Sequence, residues 1–372
     1  MTIYEIVKNK KNISDNEKKR QLKSYFITNI SYIRQITRNK ELDNFKTSMG
    51  LLFNHLKYDI LMLLADCVSQ EQKQHIQLLN YYNINWNKYI FDIFINIGIK
   101  DIPLWFFFHI PYFWDDIKNI THNRLILDQM LDYAISEWPN DLYFTEQEFI
   151  HNCNQTCLMY AITYQNQNNS SILSKYCSLL RKINPWINYQ SPNIGSKFLS
   201  KNHIRPQSNT ISVNCRKICF ISDSFVVDSC VFRDRMGLIG QLFKKKNLDI
   251  YFASFFDEKH IQGDISKLFF KKIKDKYICL DRNITKARNT IDSYQFDIII
   301  YPDIGMKLYP YILSFSKLAP IQINTWGHSE TSGVDTIDYF ITSKYFHPSK
   351  KISNGDIQNE FSEKIVVFNS LS

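Results

Sequence analysis

From residue 217 onward the sequence is punctuated by short runs that are apolar without alternation, and no other feature narrows the fold as far. They occupy residues 217–222, 248–255, 277–280, 296–301, 321–325, 339–342 and 365–368. A strand exposed on one face alternates apolar with polar side chains, whereas a strand covered on both faces is apolar throughout. Stretches with helical spacing lie between the runs, 231–244 and 307–318 being examples. Strands alternating with helices make a doubly wound parallel sheet whose right-handed crossovers bring every loop after a strand's carboxyl end to one edge. The expectation for residues 215–372 is therefore a Rossmann-like α/β lobe.

Residues 1–188 read differently. Apolar side chains recur at helical spacing, as in Leu51, Leu52, Leu56, Ile60, Leu61 and Leu64. Ser14 followed by Glu17 is a capping box, and breaks fall near Asn39, Gln70, Pro139 and 165–171. This predicts an α-helical N-terminal domain of antiparallel helix pairs. It is compatible with a tetratricopeptide-like array, although no repeat of fixed period is found. Residues 189–214, with Ser191-Pro-Asn-Ile-Gly-Ser196 and then His203, Arg205 and Pro206, read as a linker.

Composition removes several classes. The formal net charge of +9 comes from short scattered basic runs. They form no continuous basic stripe interleaved with aromatics, so a nucleic-acid partner is not expected. Eight cysteines lack the dense spacing of a secreted disulfide framework, which fits a reducing, cytoplasmic setting. Residues 1–12 are polar and do not read as a signal peptide. The most lipid-like stretch, 89–114, is interrupted by Asp92, Lys100, Asp101, Pro103, His109 and Pro111, so no membrane span is expected. His151, Cys153 and Cys157 lack a second ligand pair, and no metal is expected.

In an open parallel sheet, ligands bind outside the carboxyl ends of the strands. The first run ends in Ser222, Asp223 and Ser224, followed by Arg233, Asp234 and Arg235; the fourth ends in Pro302, Asp303, Ile304 and Gly305. The fifth opens the richest loop, Trp326 to Gly333. There Trp326 can stack on a pyranose and His328 can move a proton or address a phosphate. Ser329, Glu330, Thr331 and Ser332 can hydrogen-bond, while Gly327 and Gly333 let backbone approach a ligand closely. The competing reading is a helix-capping turn built on Thr331 or Ser332. Residues 222–229 contain no glycine, and neither a P-loop nor a Gly-x-Ser-x-Gly elbow occurs, which disfavours dinucleotide oxidoreductases, NTPases and serine hydrolases.

The segments Phe296-Asp-Ile-Ile-Ile-Tyr-Pro-Asp-Ile-Gly-Met306, Leu318-Ala-Pro-Ile-Gln-Ile-Asn-Thr-Trp-Gly-His-Ser-Glu-Thr-Ser-Gly333 and Ile337-Asp-Tyr-Phe-Ile-Thr342 resemble, in order and spacing, the catalytic region of the O-linked N-acetylglucosamine transferase family. Lys217-Ile-Cys-Phe-Ile-Ser-Asp223 is similar to that family's opening strand, and Phe361-Ser-Glu-Lys-Ile-Val366 to its turn toward a second lobe. The resemblance implies one lobe of a GT-B type fold, a nucleotide-diphosphate sugar as donor, no cofactor or metal, and a protein acceptor. It implies that the turn Trp326 to Ser329 faces the donor sugar, with His328, Asp303 and Asp223 as catalytic candidates and Arg233 and Arg235 as the first lobe's charges toward the diphosphate. Two positions differ from the family pattern: the loop Phe225, Val226, Val227, Asp228 has no histidine, and Asp297 stands where some members have one. The donor-binding lobe would come after Ser372 or from a second chain. The alternatives are a non-catalytic module that binds a protein partner through the helical domain, and a degenerate fragment of such an enzyme.

Overall fold

The computed structural model describes residues 117–153, 158–163, 165, 167–194 and 215–370, with isolated positions at 88, 91, 92 and 95. The chain divides into two units, Met1–Ile99 and Lys100–Ser372, and the architecture below is that of the second. The Ser14 capping box, most of the segment 89–114, the linker positions 195–214 and Cys157 lie outside the described residues.

Among the described residues this unit begins with α1 (Ile117–Glu137), α2 (Glu146–Cys153), α3 (Leu158–Thr163) and α4 (Ser170–Ile183). In α4 the buried positions Ile172, Leu173, Tyr176, Cys177, Leu179, Leu180 and Ile183 form the wide apolar stripe of a helix pressed into a core. It packs on α1, whose Leu127, Met130, Leu131 and Ala134 are buried at matching spacing.

Next come β1 (Tyr189–Gln190), β2 (Arg216–Ile221), α5 (Cys230–Phe243), β3 (Leu248–Ser254), α6 (Asp264–Lys272), β4 (Tyr277–Cys279), α7 (Ile284–Tyr294) and β5 (Ile298–Tyr301). They are followed by α8 (Leu308–Ser314), β6 (Ser316–Lys317), β7 (Ile321–Thr325), β8 (Tyr339–Ser343), α9 (Ser349–Ser353) and β9 (Lys364–Phe368). Seven strands form one sheet in the order β4-β3-β2-β5-β7-β8-β9, and every pair is parallel. This is a Rossmann-like α/β fold. Both β3 and β5 flank β2, so the winding direction reverses between β2 and β5, and a crevice opens above their carboxyl ends.

One sheet face presents Ile218, Phe220, Phe252 and Ile300 to α5 and α6, where Phe232, Ile239, Phe269 and Phe270 complete a largely aromatic core. Phe220 and Phe252 stack at 5.3 Å across adjacent strands. The continuous apolar text of these strands follows from that burial on both faces. Two elements depart from the sequence expectation. The helix in 307–318 stops at Ser314, because Ser316 and Lys317 pair in parallel with Tyr189 and Gln190 in a separate two-stranded ribbon. The fourth strand starts at Ile298; just before it the Asp297 N–H donates to the Lys217 carbonyl and the Asp297 carboxylate accepts the Lys217 N–H, both at 2.9 Å, at the amino edge and away from the crevice.

The helical layer is fastened to the sheet lobe by polar contacts. Arg288 Nη2 donates to the Trp186 carbonyl at 2.7 Å, the Ile284 N–H donates to Glu146 Oε1 at 2.6 Å, and Arg181 Nη2 donates to the Phe315 carbonyl at 3.1 Å and pairs with Asp335.

Candidate functional site

At the switch point two carboxyl groups hold the loop after β2. Asp303, directly beyond β5 and fully buried, accepts from Ser222 Oγ at 2.9 Å, Ser224 N at 3.1 Å and Ser224 Oγ at 2.8 Å, all on Oδ2. Burial pushes its pKa up to about 6, the charge of Asp223 adds to this, and the serine hydrogen bonds oppose it. Asp223 accepts from Ser254 Oγ at 2.8 Å and Phe255 N at 2.9 Å. Its pKa is also raised by burial, against those two bonds and the charges of Lys307 and Arg282. Asp303 therefore ties the loop to β5, and Asp223 ties it to β3. Both are enclosed, and their measurable work in this arrangement is to fix the rim.

The loop 326–333 comes off β7. A Cβ on Gly327 would lie 1.7 Å from the Pro302 carbonyl oxygen, so only glycine lets the loops after β5 and β7 close on each other. Gly327→Ala is expected to cost about 2 kcal/mol or more, as overpacking against backbone does, read as a lower urea midpoint at unchanged m. Trp326 lies over the Arg235 guanidinium, 4.5 Å from Cζ to the ring centroid, with Phe346 tilted beside it at 6.0 Å. Arg235 is buried, donates from Nε and Nη2 to Thr325 Oγ1 at 3.3 and 3.1 Å, and is lowered by burial to about 10. Arg233, two residues earlier on α5, is exposed on another face of the helix, so the two arginines do not converge.

The rest of the loop is held from two sides. His328 is buried, with Nε2 3.0 Å from Thr163 Oγ1 of α3; burial lowers it to about 4, so it is neutral at pH 7. Glu330 is half-buried and faces Asn169 and Arg124 of the helical layer; burial raises its pKa. Thr331 and Ser332 are enclosed and donate to Glu363, which sits just before β9. Gly333 takes φ of 70° with the Leu173 backbone 2.5 Å from where a Cβ would be, which lets α4 close on the loop. Ser329 alone of the loop's hydroxyls is exposed.

Of the residues singled out from the sequence, Trp326, Gly327 and Arg235 come together at the crevice, while His328, Glu330, Thr331, Ser332 and Gly333 turn toward the helical layer or β9. Several participants are not singled out from the sequence: Glu363, which stands there only within the string 361–366, Thr163 and Phe346, and a second cluster at the other end of the rim. In that cluster Phe255 stacks on Tyr309 at 5.0 Å, and Arg282 Cζ lies 5.7 Å from the Phe256 ring and 5.8 Å from that of Tyr309. These residues follow β3, β4 and β5, and only the strand order brings them together.

Among the described residues no group of three or more His, Cys, Asp or Glu is placed to hold a metal ion, and no helix is long and apolar enough to cross a membrane. No protein-family model matches the chain, and no curated protein matches it. A solved structure of a mutant O-GlcNAc transferase from Thermobaculum terrenum is similar over 92% of this chain and 57% of that one, with a TM-score of 0.40 and 10% identity. The chain thus spans little more than half of that structure.

Proposed function

We propose that residues 215–370 form the acceptor-side lobe of a GT-B type glycosyltransferase resembling the protein O-GlcNAc transferases, with the helical layer as its support. The observation that supports this best is the Trp326 indole at the crevice rim: Arg235 covers one face, Phe346 flanks it, and the ring stays partly exposed. An aromatic plate of this kind suits the apolar face of a hexose. In this reading Trp326 stacks on the sugar and Ser329 offers a hydroxyl beside it. His328, Asp303 and Asp223 act as positioning residues that keep the plate in place. Arg235, the cation at this plate, is buried and engaged by Thr325 and Trp326, which leaves it poorly placed to hold a nucleotide diphosphate. Donor binding is therefore assigned to residues outside this lobe, in the same polypeptide or another.

The test combines the chain with candidate donor-binding lobes and measures transfer from a uridine-diphosphate sugar to protein. Trp326→Ala is expected to lower transfer about ten-fold, the equivalent of one lost stacking contact. Absence of transfer and of donor binding in every combination would overturn the reading.

A second reading, a protein-binding module without transfer, draws support from one observation. All three titratable candidates are enclosed, Asp303 at 0%, His328 at 4% and Asp223 at 5% exposure. It requires partner binding that survives His328→Ala but is lost when the helical domain is deleted.

A further inference from the structure

Each end of the rim carries cations laid against aromatic rings. At one end Arg282 lies against Phe256 and Tyr309, with Lys307 two residues before Tyr309 and close enough, like Arg282, to lower the pKa of Asp223. At the other, Arg235 backs Trp326, and Lys344 Nζ lies 5.2 Å from the ring of Tyr345, which is 63% exposed. The side chains of Arg282 and Lys307 are exposed and make no ion pair or hydrogen bond with the described residues. The exposed carboxylates nearby are mostly matched: Asp257 by Lys259 and His260, Asp281 by Lys286, and Asp234 by Arg235, leaving Glu258.

The amino ends of the longer helices on this edge, α5, α6 and α7, are already filled from within the chain, while the short α8 and α9 start without a side-chain cap. Asp228 accepts from Ile265 N and Ser266 N at the start of α6, Glu146 accepts from Ile284 N at the start of α7, and Ser229 caps α5. An incoming anion therefore meets separate surface side chains, which suits carboxylates spaced along a polymer better than a compact polyphosphate. From the loop after β3 to the loop after β8 there are four strand spacings, about 19 Å, the length of about six extended residues.

We propose that this rim is a docking groove for an extended acidic polypeptide segment, with carboxylates on Arg282 and Lys307 and an apolar or aromatic side chain against the exposed Phe346 and Tyr345, beside the sugar-facing Trp326. It deepens and rests on the acceptor-side reading above, and names the acceptor as acidic around its modified residue.

The experiment is fluorescence anisotropy on the full chain, without donor, using labelled peptides of about twelve residues in which a central serine is flanked by Glu or, in the control, by Gln. The Glu peptide is expected to bind about ten-fold more tightly at low salt, as two exposed ion pairs can supply, with the advantage shrinking as salt rises. Arg282→Gln with Lys307→Gln should abolish the preference and leave the thermal melt unchanged, while Phe346→Ala should weaken both peptides alike. Equal affinity for the two peptides overturns the proposal, as does a preference that survives the double substitution. Displacement of the Glu peptide by uridine diphosphate or pyrophosphate at matching concentration also overturns it, by assigning the cations to a nucleotide. Because binding is read without transfer, a chain that binds but never transfers fails only the catalytic reading.

Discussion

Glu363→Ala is expected to lower the unfolding free energy by about 4 kcal/mol, the largest single-site loss in the sheet lobe. The carboxylate is 2% exposed and accepts from the Ser332 N–H at 2.8 Å, Thr331 Oγ1 at 2.5 Å, Ser362 Oγ at 3.1 Å and the Ser332 hydroxyl. Alanine would strand a buried backbone donor and two buried hydroxyls; each such group costs about 1–3 kcal/mol, and the hydroxyls recover part of this by rotating to other acceptors. Glu363→Gln keeps one acceptor oxygen and should lose about half as much. The damage should also reach the crevice, since the same loop carries Trp326 and His328, so indole exposure to acrylamide quenching should rise with the loss of stability. Urea curves that place the alanine variant within about 1 kcal/mol of the parent would show that the clamp is not structural.

Much of the sheet was legible because burial on both faces leaves a direct mark on the sequence. The runs 321–325 and 339–342 became β7 and β8 nearly residue for residue, although β7 reads Ile-Gln-Ile-Asn-Thr and buries its polar Gln322 and Asn324, Gln322 being bonded to the Leu318 N–H and the Thr336 carbonyl. The two-residue strands β1 and β6 left no such mark: a pairing that short carries no periodicity, and it replaced the end of a helix expected to run to Leu318. The loop after β7 was legible as important but not in its division of labour. Nothing in Thr331 and Ser332 announces that they face inward to Glu363, because the carboxylate that binds them lies 31 or 32 residues on, in what reads as a lead-in to a strand. Arg233 and Arg235 looked alike, but positions two apart on a helix face different ways, and only Arg235 lies beneath the indole. Arg282, Lys307 and Tyr309 had no signal at all, for they come to one rim only after the four strands β4, β3, β2 and β5 are placed side by side.

The enclosed Asp303 and His328 pull stability in opposite directions with pH, and separating them tests whether the rim is as tightly closed as their burial indicates. Asp303 is raised from 3.8 to about 6, so it holds its proton in the folded chain while the unfolded chain has lost it. Its contribution is full below pH 3.8 and disappears as pH rises toward 6. His328 is lowered from 6.5 to about 4, so its contribution is full above pH 6.5 and disappears as pH falls toward 4. A tenfold change in proton affinity is worth about 1.4 kcal/mol, so each group contributes about 3 kcal/mol, and between pH 4 and 6 the two offset each other. Asp223 and Glu330, raised by burial, add to the first trend, and His347, lowered by burial, to the second; all three remain in both variants. Relative to the parent, Asp303→Asn should therefore become less stable by about 3 kcal/mol on going from pH 6 to pH 4, because the parent alone gains from protonating the carboxyl. His328→Asn should move the other way by a similar amount, gaining on the parent as pH falls from 6.5 to 4. Urea titrations at half-unit pH steps would resolve the two slopes. Difference curves that stay flat would mean that water reaches both side chains, and that the loop after β7 opens on its own without waiting for a ligand.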